Sequence, residues 1–210
     1  MVTIPQVKLL HACIVAANLG LLVPHVHAAN LIKNGSFEKP VAPSGSYELF
    51  AESQKFGGWT VVGASGNVTL VSGTFTQNGF TFPAAGGIQW LDLTGNSNTA
   101  TGVQQVVATT PGTAYTLTFY VGNVYDPGGI FGVTSTVNVY VNNALVFTAT
   151  NSRGAGQTKE VWQKFTTTIT ASSAQTTIGF LNGDPGSDTC NGLDLVSLVA
   201  QADEPPEEIQ

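Results

Sequence analysis

Two carboxylates stand near opposite ends of the chain, each in a short apolar run: Glu38 closes Asn34-Gly35-Ser36-Phe37-Glu38, and Asp194 lies in Leu193-Asp194-Leu195-Val196-Ser197-Leu198. Carboxylates in such surroundings are rarely buried without a partner. If both runs are strands and the strands meet, the pair can share a hard cation. A second kind of chemistry rests on rings set beside amides and acids: Trp90 with Gln89 and Asp92, Tyr120 with Asn123, Tyr125 and Asp126, and Tyr140 with Asn138. An exposed ring of this kind stacks on the apolar face of a pyranose while its polar neighbours fix the hydroxyls. Each ring can equally pack in a core or on a sheet edge, and for Trp59 and Trp162 burial is the expectation. Asp92, Glu160, Asp184 and Asp188 supply carboxyl groups that glycoside hydrolysis would need about 5 to 10 Å apart, but no motif sets an acid against a base.

Other chemistries are excluded by what an N-terminal leader would remove. Lys8 precedes an apolar run from Leu9 to Val23, and Val26-His27-Ala28 places small residues where a signal peptidase acts. Residues 1–28 therefore read as a signal peptide, which makes the chain an exported one, extracellular or periplasmic, with no membrane insertion once the leader is gone. All three histidines (His11, His25, His27) and Cys13 leave with it. What remains cannot build a Ser-His-Asp or Cys-His nucleophile or a His-ligated metal centre. Without Lys8, six basic residues face thirteen acidic ones, a net charge of −7 with no basic stripe. Such a surface repels phosphate backbones and anionic lipid, which argues against nucleic acid and membrane surfaces as partners. Cys190 is left alone and reads either as a buried thiol or as the partner of a cysteine in another chain.

The elements that must position these groups are strands. Only 10% of the 210 residues are charged, glycine is frequent, and Val and Thr recur, a composition suited to short strands joined by Gly-bearing turns. Tyr115, Leu117, Phe119 and Val121 alternate with polar positions, Val137, Val139 and Val141 repeat the pattern, and Asn142-Asn143 reads as a two-residue hairpin turn. Leu91 and Leu93 are expected to face the core, leaving Trp90 and Asp92 pointing outward or into a groove. Asn30 to Glu38 reads as a first short strand, followed by a long loop bearing Tyr47, Phe50 and Phe56, where function often sits. Ten or eleven strands with no helix predict an all-β fold, two antiparallel sheets in a jelly-roll sandwich over residues 29–200, and a disordered acidic tail over 201–210.

Asn34-Gly35-Ser36-Phe37-Glu38, Gly58-Trp59, Leu91-Asp92-Leu93-Thr94-Gly95, Pro111-Gly112 with Tyr115-Thr116-Leu117-Thr118-Phe119, Trp162 before a Thr-rich strand, and Cys190-Asn191-Gly192-Leu193-Asp194 together resemble the DUF642 family in its bacterial form. Each motif is weak alone, and their order and spacing over Asn30 to Val199 make the set specific. The resemblance implies a galactose-binding-domain-like jelly roll related in shape to carbohydrate-binding modules. It also implies a secreted, non-catalytic protein of cell walls or matrices whose partner is a polysaccharide or glycan, or a cell-wall protein. Plant-type members carry a cysteine after the strand matching Tyr115 to Val121. Here Gly122-Asn123-Val124 stands in its place, so Cys190 lacks that partner.

In jelly rolls of this type a structural calcium often ties the first and last strands, and the matching ligands here would be Glu38 and Asp194, with Asp184 and Asp188 as second choices; the alternative is a metal-free hydrogen-bonded pair. The residues expected to bind ligand are Trp90, Gln89, Asp92, Tyr120, Asn123, Tyr125 and Asp126. The alternatives are a structural or adhesive protein acting through protein contacts and, less favoured, a glycan-active hydrolase.

Overall fold

Alternation decides where each strand turns its side chains. Tyr115, Leu117, Phe119 and Val121 are all buried while the residues between them are half-buried, as a period of two requires when one face meets a core. The computed structural model describes residues 29–186 and 188–202, so the expected leader and the tail beyond 202 lie outside it. Strands are numbered here in chain order. Sheet A runs β1 (Tyr47–Ala51), β4 (Asn67–Ser72), β7 (Gln89–Asp92), β14 (Gly192–Ala200), β9 (Ala114–Asn123) and β12 (Val161–Thr170). Sheet B runs β11 (Ala144–Asn151), β10 (Ser135–Val141), β13 (Gln175–Asn182), β8 (Thr101–Ala108), β3 (Trp59–Gly63) and β2 (Lys55–Phe56). β5 (Thr76–Gln77) and β6 (Phe80–Thr81) form a separate hairpin.

Neighbouring strands in both sheets are antiparallel, and no helix occurs among the described residues. The fold is the two-sheet antiparallel jelly-roll sandwich that the pattern predicts. Between the sheets lie Trp59, Leu70, Leu91, Leu117, Phe119 and Phe180, all fully buried, each stabilising the fold by about 1.5–3 kcal/mol relative to exposure. The β10–β11 turn is the Asn pair, with φ of 49° at Asn142 and 68° at Asn143, the two positive values that a type I′ turn requires.

The first apolar run differs from expectation. Residues 30–38 form no strand, because Asn34 and Phe37 both have positive φ (53° and 57°) and turn the chain out of an extended path. The segment still joins β14: Leu31 N donates to Leu198 O at 2.9 Å and Val196 N to Gly35 O at 2.8 Å. The Asn30 side chain accepts from Leu198 N and donates to Val196 O. β14 receives it at a bulge, where its register against β9 shifts between Asp194 and Ser197 and Leu195 takes φ of 49°.

Candidate functional site

Glu38 and Asp194 do meet, at the tight segment that enters β7. Asp194 Oδ2 accepts from Gly86 N at 3.0 Å and Oδ1 from Leu195 N at 2.7 Å, while Glu38 Oε1 accepts from Ile88 N at 3.1 Å. Burial, with the charge of Glu38 adding to it, pushes the Asp194 carboxyl up to about 7 against the pull of these N–H donors. Gly87 sits against Glu38 with φ of 72°, and a Cβ there would overlap the carboxylate. The two ends of the domain are thus fastened through one loop. Among the described residues no group of three or more His, Cys, Asp or Glu side chains is arranged to hold a metal ion. Asp184 and Asp188 lie elsewhere: Asp188 Oδ2 accepts from Val133 N, Thr134 N and Thr134 Oγ1, and Asp184 Oδ1 accepts from Thr136 N.

The outer face of sheet A carries a second apolar cluster, built from Val71, Phe82, Trp90, Val124 and Phe131 with Phe75, Phe80 and Trp162 against it. Residues 73–88, including the β5–β6 hairpin, fold over this face. Two indoles hold that cover: Trp90 Nε1 donates to Phe82 O at 3.0 Å and Trp162 Nε1 to Pro83 O at 2.8 Å, with the two rings edge to face at 5.7 Å. Trp90 therefore does leave the inter-sheet core, as its phase predicts, yet it is fully buried rather than presented to solvent.

Beside the cover opens a cavity of about 510 Å³, within the range of small-molecule sites. Tyr47, Phe75, Phe82, Trp90 and Phe131 give it aromatic walls, and Gln77, Asn96 and Asn98 give it an amide rim. Tyr47, on edge strand β1 and 48% exposed, meets Phe75 edge to face at 5.6 Å. Asp92 and Cys190 also line it. Asp92 Oδ1 accepts from Thr94 N at 2.9 Å and Thr94 Oγ1 at 2.6 Å, and burial raises its carboxyl to about 6 despite these bonds.

Behind Asp92 the sheet has a bare patch. One register row crosses four strands as Trp162, Gly122, Gly192 and Asp92, and the two central glycines put no side chain on the face. The Glu160 carboxyl occupies that space, since a Cβ on either Gly122 or Gly192 would overlap its Oε1. Glu160 is 2% exposed, and neither carboxyl oxygen has a hydrogen-bond partner among the described residues. Burial, then the neighbouring charges of Asp92 and Asp194, hold it well above the ordinary glutamate range. The Cys190 thiol is raised by burial and by Asp92 and Glu160, and it forms no disulfide among the described residues.

The sequence-derived ligand set does not converge. Trp90 and Asp92 line the cavity, whereas Gln89 turns the other way and ties the 37–42 segment, its amide accepting from Ala42 N and donating to Phe37 O and Pro40 O. Asn123 is buried, donating to Ser135 Oγ and accepting from Gly154 N. Tyr120 is half-buried farther along the outer face of sheet A, and Tyr125 and Asp126, also half-buried, belong to the loop after β9; none of the three lines the cavity. Tyr47, Phe75, Phe131 and the amides Asn96 and Asn98 were not singled out as binding residues. The signal for Tyr47 is its place in the long aromatic loop expected after Glu38, where the structure instead has strand β1, while Phe75 and Phe131 come from stretches with no strand period.

Residues 30–196 match the model of the DUF642 family, described as a protein of unknown function. Among solved structures, a cyclase from Fischerella sp. TAU is 19% identical, with a TM-score of 0.58 over 85% of this chain and 100% of that one. A family 35 carbohydrate-binding module from an environmental isolate is 18% identical, with a TM-score of 0.43 over 72% of this chain and 92% of that one. At 19% identity the likeness to the cyclase is one of fold. No curated protein sequence matches the chain.

Proposed function

From its place in the DUF642 family, to which this chain belongs, and from the aromatic cavity on sheet A, we propose that the protein is a secreted, non-catalytic carbohydrate-binding module. The observation that carries the reading is the pairing of an accessible Tyr47–Phe75 edge with the amides of Asn96, Asn98 and Gln77 around one opening. Rings that stack on a pyranose and amides that read its hydroxyls are what a sugar subsite needs. Cleavage is less well supported than binding. Hydrolysis needs two carboxyl groups facing the scissile bond, and of the nearby acids Asp92 lines the cavity while Glu160 is sealed behind it.

The test is retention on immobilised polysaccharides or a glycan array. Tyr47→Ala should weaken binding about tenfold, the equivalent of roughly 1.4 kcal/mol of lost stacking, with an unchanged melting temperature because Tyr47 is half exposed on an edge strand. Unchanged retention in that variant removes the cavity from the reading. Retention by a cell-wall protein alone favours the adhesive alternative, and turnover of a glycan favours an enzyme.

Calcium at Glu38 and Asp194 belongs to the same proposal. The donor set fits in kind: two carboxylates held by one loop, each with lone pairs beyond those facing N–H groups, and a hard cation would offset the burial, and with it the Glu38 charge, that raise Asp194. With extracellular affinities of ~10⁻⁴ to 10⁻³ M, 1 mM calcium should stabilise chelator-treated protein by about 0.4–1.4 kcal/mol, a shift of up to a few degrees. Asp194→Asn should lose that shift. A melting temperature indifferent to calcium would leave the backbone N–H groups as the whole closure.

A further inference from the structure

The Glu160 carboxyl is unexplained by the fold. Burying an acid with no donor to either oxygen is costly, and the chain keeps two glycines in register, Gly122 and Gly192, to make room for it. Its place over Gly192 puts it about one strand spacing, roughly 5 Å, from the backbone of Asp92, and Asp92 faces the cavity. No lysine or arginine lines that cavity. Its walls include Trp90, Phe82, Phe131 and Tyr47, aromatic rings whose faces attract a cation. Asp92 in the lining, Glu160 behind it and no cationic side chain in that lining form a site that disfavours an anionic sugar and that an ammonium would complete.

We propose that the cavity takes an amino sugar whose amine is free and protonated, the ammonium resting on Asp92 with the buried, unpartnered Glu160 carboxyl behind it, which gives up its proton when that positive charge is in place. The inference rests on the carbohydrate reading and narrows it to basic hexosamine chains, as against neutral, N-acetylated or uronic acid polymers. The aromatic edge at Tyr47 and Phe75 takes the pyranose face, and the amide rim takes the hydroxyls. Glu160 is closed off from the opening and acts without contact, through the negative charge it takes up when the ammonium binds.

Calorimetric titration of the purified protein at pH 6.5 with a β-1,4-linked glucosamine tetramer, its N-acetylated counterpart and the glucose tetramer decides the matter. The amine form should bind at least about tenfold tighter than the other two, the range for a hydrogen bond to a charged group. Asp92→Asn should bring the three to within about twofold, and Glu160→Gln should weaken the amine form alone by about threefold, a partial effect because the group is one shell removed. Both replacements keep the side-chain shape, and circular dichroism and a melting curve confirm that each variant is folded. Equal binding of the amine and N-acetyl tetramers by the unaltered protein overturns the inference and leaves the carbohydrate reading standing. Binding of phenethylamine, lost in Asp92→Asn, without binding of any tetramer overturns the carbohydrate reading and the amino sugar with it. A preference for the amine that survives in both variants overturns the roles given to Asp92 and Glu160.

Discussion

In chelator, the protein should be most stable at mildly acidic pH and lose several kcal/mol of unfolding free energy between pH 4.5 and pH 8. Asp92 is raised to about 6, Asp194 to about 7 and Asp184 to about 8, in each case chiefly by burial, and Glu160 stands well above its ordinary value for the same reason. An acid whose folded pKa exceeds its unfolded one keeps its proton in the native state after the unfolded chain has released it. The native state then binds more protons, so stability is fully present below about pH 4 and declines as pH climbs through 6, 7 and 8. At about 1.4 kcal/mol per pKa unit, Asp92 alone accounts for roughly 3 kcal/mol. The others do not simply add, because Glu160, Asp92 and Asp194 feel one another's charge. Urea unfolding at pH 4.5, 6 and 8 measures the slope. A flat or rising profile would mean that these carboxylates are stabilised in the native state by a countercharge. Calcium should flatten the part of the slope that belongs to Asp194, and Glu160→Gln the part that belongs to Glu160.

The sheets were legible because their strands obey a local rule. Alternation through Tyr115–Val121 and Val137–Val141 and the positive φ that Asn142-Asn143 tolerates depend on neighbours in sequence, and each is found as expected. Residues 30–38 were not legible, because what sets their path is hydrogen bonding to Val196 and Leu198, more than 160 positions away. The same distance hid the site. All four residues of β7 are buried, so alternation there separates two interiors rather than an inside from an outside. Trp90 was assigned correctly to the face opposite Leu91, but the cover over it comes from residues 73–88, whose Gly-, Thr- and Phe-rich sequence has no strand period. Gly122 and Gly192 gain their meaning only from register: each is an ordinary strand glycine until the pairing of β9 with β14 sets them side by side under Glu160.

That cover makes the second large expectation one about stability. Trp90→Ala should cost about 3–5 kcal/mol, the range for removing a large aromatic side chain from a core. The ring is fully buried between Phe82, with centroids 6.4 Å apart, and Trp162, so its loss leaves a void among side chains that are themselves anchored. It also strips the Nε1–H donor from Phe82 O, a carbonyl in a fully buried residue, which adds the penalty of an unmet acceptor. Trp90→Phe keeps most of the volume and removes the donor, so it should cost nearer 1–2 kcal/mol. Residues 73–88 should then open before the sandwich does, because one of their two indole anchors is gone and what remains is Trp162 on Pro83 O and backbone bonds at Thr81, Gly86 and Ile88. Limited proteolysis should cut that segment in Trp90→Ala under conditions where the unaltered protein resists. Ligand affinity should fall together with stability, unlike in Tyr47→Ala, where affinity falls and stability stays. If Trp90→Ala instead keeps the melting temperature and loses only binding, its ring is a ligand platform and the burial described above gives way when ligand arrives.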